Sequence, residues 1–225
     1  MADWREAPMD FEKARFNMVE NQIRANRVTD PAVLTALERV PRELFVPKAL
    51  RGIAYVDEDI ALDDDRYLME PLVVARLIQA AAVQSTDIVL DVGCATGYSS
   101  AVLAHIASTV VALESDQDLV IRASRTLTDL SLDNAVVVGG PLIEGYPQQA
   151  PYDVIMLNGA VPSVPEALRA QLADGGRLVA VLGDGGWSSK LTVIERHGNA
   201  FGQRILFDAA TPALPGFIQE PQFVF

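Results

Sequence analysis

The sequence predicts an open, doubly wound α/β sheet of the Rossmann-like kind, with a helical elaboration at its N-terminus and an antiparallel edge at its C-terminus. Three observations carry the prediction. Apolar runs at 88–92, 110–113, 135–138, 154–157 and 178–182 are short, continuous and rich in Val, Leu and Ile, as buried parallel strands are. Helical segments at 99–106, 116–130 and 165–172 separate most of them. The first run enters a small-residue turn, Gly93-Cys94-Ala95-Thr96-Gly97, and the second closes on an acid, Glu114.

Residues 1–11 read as a loose lead-in, after which Ala14, Met18, Val19 and Ile23 fall near helical spacing. Thr29-Asp30-Pro31 starts a second helix, because a side-chain oxygen caps its first turn and proline's missing N–H costs nothing there. That helix carries Val33, Leu34 and Leu37 and stops at Pro41. Phe45-Val46-Pro47 and Ala54-Tyr55-Val56 read as short extended pieces, and 57–66 as an acidic, irregular stretch. Pro71 opens an apolar helix through Ala82. Asp174-Gly175-Gly176 is a turn just ahead of a strand, and 190–195 and 204–207 alternate as a hairpin around His197-Gly198-Asn199. Trp187, after Gly183-Asp184-Gly185-Gly186, sits in a turn.

Composition excludes several classes. The 225 residues are half apolar and 21% charged, an ordinary globular balance with enough chain for a sizeable core. A net charge of −12 argues against a general nucleic-acid binder, since phosphate contact relies on clustered Lys and Arg. One cysteine excludes an intrachain disulfide. Cys94, His105 and His197 are too scattered for a zinc set. Cys94 reads as a small buried filler, His105 as lying on a core-facing helix and His197 as lying in a hairpin turn. Asp57, Glu58, Asp59, Asp63, Asp64 and Asp65 lack the spacing of a calcium loop, so no metal is expected. Residues 1–15 are charged, without the apolar core of a signal peptide, and no run approaches the roughly 20 apolar residues of a membrane span. The expectation is a cytoplasmic protein that engages neither nucleic acid nor membrane, its oligomeric state open.

The turn at 93–97 is the chemical focus. Strand, tight turn, helix and an acid about twenty residues on are the parts that hold a nucleoside. Gly93 and Gly97 let a ligand approach the backbone, and the Glu114 carboxylate suits two ribose hydroxyls. The spacing is Gly-x-x-x-Gly, without the further glycine of a dinucleotide site, so S-adenosylmethionine fits better than NAD. The plain alternative is an ordinary βα turn beside a solvent-facing Glu. On the nucleoside reading, Asp91, Gly93, Cys94, Ala95, Gly97, Tyr98, Glu114 and Ser115 are the cofactor candidates. Residues 1–84 are then a cap within the same domain, and 85–225 the cofactor-binding core with its hairpin.

Several segments together resemble the protein-L-isoaspartate O-methyltransferase family. They are Met18-Val19-Glu20-Asn21-Gln22-Ile23-Arg24, Val40-Pro41-Arg42-Glu43-Leu44-Phe45-Val46-Pro47 and Ala54-Tyr55 in the cap, and then 89–98, Pro151-Tyr152-Asp153-Val154-Ile155 and Leu172-Ala173-Asp174-Gly175-Gly176-Arg177-Leu178-Val179. The similarity runs in order from about residue 16 to 207, and general methyltransferases lack the two N-terminal segments. The resemblance implies an S-adenosylmethionine methyltransferase sheet. It also implies transfer of a methyl group to the α-carboxyl of L-isoaspartyl residues in damaged proteins, after which the ester cyclises to a succinimide.

The chain departs from the family pattern beside the reacting centre. Where the family carries Gly-x-Thr-Ile-Ser-Gln-Pro, the run here is Asp65-Arg66-Tyr67-Leu68-Met69-Glu70-Pro71, with Met69 at the serine position between Leu68 and Glu70. Gly139-Gly140-Pro141 replaces Gly-Asp-Gly, removing at Gly140 the aspartate that the family turns to the adenine amine. Ala95 stands for a glycine, and Asn158-Gly159-Ala160 replaces a Thr-Ala-Ala-like segment, with Asn158 a hydrogen-bonding candidate. Three hypotheses follow: a carboxyl methyltransferase of this family, a degenerate relative that keeps the fold as a binding or scaffolding protein, and, weakest, a nicotinamide oxidoreductase.

Overall fold

The computed structural model describes residues 9–63, 65–186 and 188–217. The expectations for Asp64, Trp187, residues 1–8 and most of the C-terminal tail lie outside the described residues. In chain order the helices are α1 (Phe11–Asn17), α2 (Pro31–Arg39), α3 (Pro71–Ala81), α4 (Tyr98–Ala104), α5 (Gln117–Asp129) and α6 (Glu166–Ala170). The strands are β1 (Ile60–Asp63), β2 (Arg66–Leu68), β3 (Ile88–Val92), β4 (Thr109–Glu114), β5 (Ala135–Gly139), β6 (Tyr152–Val161), β7 (Leu172–Leu182), β8 (Lys190–His197) and β9 (Ala200–Asp208).

Among the described residues, seven strands form one sheet in the order β5-β4-β3-β6-β7-β8-β9. β3 to β7 pair in parallel, and β8 and β9 add an antiparallel edge. The order reverses between β3 and β6, so the carboxyl ends of these two strands flank the crevice where open α/β sheets bind ligands.

Alternation along each strand divides the core. Val89, Val110, Val154, Met156, Val179 and Val193 pack in one cluster with the N-terminal helices, α3 and α4. Leu90, Val92, Val111, Leu113, Ile155 and Leu178 form a second, against Leu142, Leu168, Leu214 and Phe217. That second face is covered by the short α6, a 3-10 turn and the C-terminal segment rather than by long helices.

Local chemistry explains the helix starts. Asp30 accepts the N–H groups of Ala32 and Val33 at 2.8 and 3.3 Å, and Asp116 those of Asp118 and Leu119 at 2.9 and 3.0 Å. The α5 stripe Leu119, Ala123 and Leu127 is buried at i, i+4, i+8.

Four expectations are corrected. The first helix widens into a π-helix over Met18–Ile23, which brings Met18, Val19 and Ile23 to the buried side. Phe45-Val46-Pro47 and Ala54-Tyr55-Val56 are not strands. 3-10 turns at Arg42–Leu44 and Lys48–Ile53 adjoin them, and the Ala54 carbonyl accepts from the Arg42 guanidinium at 2.7 Å instead of from a strand. The stretch 57–66 is irregular only in part, since Ile60–Asp63 forms β1 and pairs antiparallel with β2, Ile60 opposite Leu68 and Ala61 opposite Tyr67. Strands of four and three residues are too short for a period-two pattern to stand out in the sequence. Asp174-Gly175-Gly176 lies inside β7, where the register slips from Tyr152↔Leu172 to Val154↔Arg177.

Candidate active site

The turn after β3 is built by backbone geometry. Gly93 and Gly97 have φ of 75° and 92°, values that disfavour a side chain, and Ala95 adopts φ 50° despite its methyl group. The Gly93 and Cys94 N–H groups donate to the Leu113 carbonyl at 2.8 and 3.1 Å, docking the turn on the end of β4. The Thr96 hydroxyl donates to the Phe45 carbonyl at 2.7 Å, joining the cap to the turn. Arg42, fully buried, donates to the Met69 carbonyl at 2.7 Å and lies over the Tyr98 ring at 4.6 Å.

Glu114 is fully buried and both its oxygens are engaged. Oε1 accepts the N–H groups of Ser115 and Asp116 at 2.7 and 3.1 Å, and Oε2 accepts the Ala95 N–H at 2.8 Å and an ion-paired N–H from Arg66 Nη2. The same Nη2 donates to the Gly93 carbonyl at 3.1 Å. The solvent-facing Glu of the plain reading is therefore replaced by a buried carboxylate at the crevice.

Asp91 is also buried and accepts from Ser99 at 2.7 Å, from Ser100 at 2.5 Å and from the Asn158 amide. Burial pushes its carboxyl up, and the three donors oppose the shift. Glu70, half-buried, is pushed up to about 7 by burial and by the charges of Asp57 and Asp59.

The other wall comes from far along the chain. The Ala160 N–H donates to the Pro212 carbonyl at 2.9 Å and the Leu214 N–H to the Ala160 carbonyl at 2.8 Å, which lays residues 212–214 across the end of β6. Leu214 covers the turn so closely that a Cβ on Gly93 would sit 2.5 Å from its Cδ1. Between the walls lies a cavity of about 10 Å³, lined by Arg66, Tyr67, Met69, Asn158, Thr211 and Leu214 among others. That space holds about one water.

A profile described as "Protein-L-isoaspartate(D-aspartate) O-methyltransferase (PCMT)" matches residues 13–209. The chain belongs to the protein-L-isoaspartate O-methyltransferase family. Protein-L-isoaspartate O-methyltransferase 1 of Syntrophobacter fumaroxidans is 35% identical over 204 residues, 88% of this chain and 95% of the relative. The Methanoculleus marisnigri protein-L-isoaspartate O-methyltransferase is 38% identical over 186 residues, 83% of this chain and 84% of its own. The fold matches that of a Plasmodium falciparum chain assigned to the same activity, in complex with S-adenosyl-L-homocysteine. The TM-score there is 0.76 at 18% identity, over 92% of this chain and 99% of that one.

Within this family member the predicted cofactor residues divide. Asp91, Gly93, Ala95, Gly97, Glu114, Ser115 and Asn158 gather at the crevice, and the Gly140 N–H donates to the Glu114 carbonyl at 3.0 Å. Tyr98 and Cys94 turn away. The Tyr98 ring packs edge-on against Phe45, centroids 5.5 Å apart, and Cys94 packs with Ala112 and Ala123. Burial pushes the Cys94 thiol well up, which suits a filler rather than a nucleophile. Met69, at the family's serine position, is 3% exposed and lines the cavity, while Leu68 is buried in β2. His105 is exposed just past α4 rather than facing the core. His197 ends β8, exposed.

Sequence reasoning missed Arg66 as a site residue, along with Thr211 and Leu214. One signal was available, since Arg66 is the sole basic residue between Arg51 and Arg76, in a stretch otherwise rich in Asp and Glu. Nothing local marks Thr211 or Leu214.

Proposed function

We propose that this chain is an S-adenosylmethionine-dependent carboxyl O-methyltransferase that acts on L-isoaspartyl or related carboxylates of damaged proteins in the cytoplasm. The observation that carries the reading is the Glu114 carboxylate, buried against a side-chain-poor turn at the switch point of the sheet in a chain of this family.

The donor set suits a nucleoside. A carboxylate has about four acceptor sites, and three of Glu114's are held by backbone N–H groups that fix its orientation. The remaining partners, Arg66 and the Ser115 hydroxyl at 3.3 Å, are the replaceable ones, because a side chain can withdraw where a backbone amide cannot. Gly93 and Gly97 hold the left-handed turn, whose outer faces are packed by Leu214 and Ala123, and Gly140 leaves the adenine side open, where a Cβ would meet only Leu113 at 3.4 Å.

S-adenosylmethionine, when bound, supplies a methyl group that a carboxylate oxygen displaces from sulfur, the electron pair staying on sulfur, so no proton moves. The chain's task is then alignment and exclusion of water. The hydrogen bond from Asn158 to the buried Asp91 stiffens the floor of the crevice, and the 212–214 segment supplies a roof. The absence of a histidine from the crevice agrees with chemistry that needs no general base.

Incubation of the full chain with labelled S-adenosylmethionine and an isoaspartyl peptide is expected to produce a base-labile methyl ester. The matching aspartyl peptide is expected to give none. No ester on any peptide carboxylate, with the cofactor bound by calorimetry, overturns the reading.

A further inference from the structure

Two residues that line the small cavity each carry a buried polar atom with nothing to bond. Arg66 is 6% exposed and its Nε is buried without an acceptor; Thr211 is 2% exposed and its Oγ1 is buried without any partner. Both residues line the same space of about 10 Å³. Buried polar groups are nearly always satisfied, so two orphans on one cavity mark a place where another molecule supplies the partner.

The chemistry of the orphans defines that molecule. A guanidinium N–H only donates, and a hydroxyl donates equally well, so the missing group is an acceptor with at least two lone pairs. A guanidinium edge matches a carboxylate in particular. Arg66 is the only cation among the cavity's described lining residues, and with Asp65 on the lining and Glu70 and Asp91 close by, it is the one group there that attracts an anionic acceptor.

The position agrees as well. Tyr67 and Met69, which stand where the family carries its two hydroxyls, line this cavity, and Thr211 brings a hydroxyl to it from the opposite wall. Thr211 also lies beyond residues 13–209, the part that the family profile matches.

Resting on the carboxyl methyltransferase reading, we propose that Arg66 and Thr211 hold the acceptor's carboxylate, replacing the hydroxyl segment that the family carries at Tyr67 and Met69. Arg66 releases Glu114 to the nucleoside and turns its Nε–Nη2 edge to the incoming carboxylate, so one side chain couples the nucleoside half of the site to the acceptor half. The cavity admits about one water as it stands, so the carboxylate enters as Leu214 moves aside.

The test is the kinetics of T211V, T211S and R66Q against an isoaspartyl peptide, with calorimetry of S-adenosylhomocysteine on each. T211V removes the hydroxyl without touching Glu114. It is expected to raise the peptide KM about tenfold, the worth of one hydrogen bond to a charged group, with cofactor affinity unchanged. T211S restores the wild-type KM, and R66Q raises KM further. An isoaspartyl peptide with its α-carboxyl amidated is expected to bind wild type and T211V equally weakly. A purely structural Thr211 shifts thermal stability and cofactor affinity while sparing the peptide KM, and that result overturns the proposal. Peptide calorimetry on the S-adenosylhomocysteine-loaded protein separates the two readings. Binding that T211V weakens, without ester formation, keeps the subsite and sinks methyl transfer. Ester formation with a wild-type KM in T211V sinks the subsite and keeps methyl transfer. No peptide binding at all sinks both.

Discussion

The two halves of the crevice are built by opposite means. The proposed nucleoside half, the turn at 93–97 with Glu114, is assembled from adjacent parallel strands and backbone hydrogen bonds over short range. The proposed acceptor half brings together β2 and residues 211–214, about 145 residues apart in sequence, and meets in side chains. A backbone-built site depends on left-handed φ values and tolerates changes of side chain elsewhere. A side-chain-built site can change its chemistry residue by residue, which is the exchange proposed for Arg66 and Thr211.

The contrast breaks most sharply at Glu114, where the halves touch. Glu114→Gln leaves the Arg66 guanidinium buried without its counter-charge, and losing one partner of a buried pair costs about 3–5 kcal/mol. Urea denaturation is expected to show that loss, and S-adenosylhomocysteine affinity is expected to fall with it.

The next largest effect separates backbone strain from contact. Gly93→Ala carries about 1–2 kcal/mol of left-handed strain and a further 1–3 kcal/mol of overpacking against Leu214. Gly175→Ala, also at positive φ but with nothing within 4 Å of its Cβ, carries the strain alone. In a double-mutant cycle, Leu214→Ala is expected to recover the overpacking share in the Gly93→Ala background and none in the Gly175→Ala background. Equal recovery in both would mean that Leu214 does not press on the turn.

Smaller effects sharpen the same division. Asp116→Ala removes the cap of α5 beneath the nucleoside half and is expected to cost about 1 kcal/mol in thermal unfolding, with the peptide KM unmoved.

The smallest effect is a pH dependence on the acceptor side. Burial, then Asp57 and Asp59, raise the Glu70 carboxyl from its ordinary 4.5 to about 7, while Arg42 and Arg76 oppose. A carboxyl raised on folding favours the protonated native state. Its contribution to stability is full below pH 4.5 and is lost as pH rises through about 7. Glu70→Gln is expected to flatten that part of the stability profile; an unchanged slope between pH 4.5 and 7 contradicts it.

Much of this molecule is legible in one dimension. The apolar runs of β3 to β7 announce themselves because parallel strands are buried on both faces and need no alternation. Asp30-Pro31 and Asp116 mark their helix starts because capping is local chemistry. The hairpin β1–β2 was hidden because its strands are only four and three residues long, and the bend at Arg42–Leu44 because its stability comes from a guanidinium bonded to distant carbonyls.

The sequence by itself determined the parallel sheet, the glycine turn and the acid at its side, since each follows from hydrophobic periodicity, φ preference or short spacing. Only the tertiary structure decided that Arg66 would close on Glu114, that Leu214 would roof Gly93, and that Thr211 would face the same cavity as Arg66. Those are contacts between segments far apart in the chain. Their free energy comes from burial and pairing once the sheet has brought the segments together, so no local pattern records them.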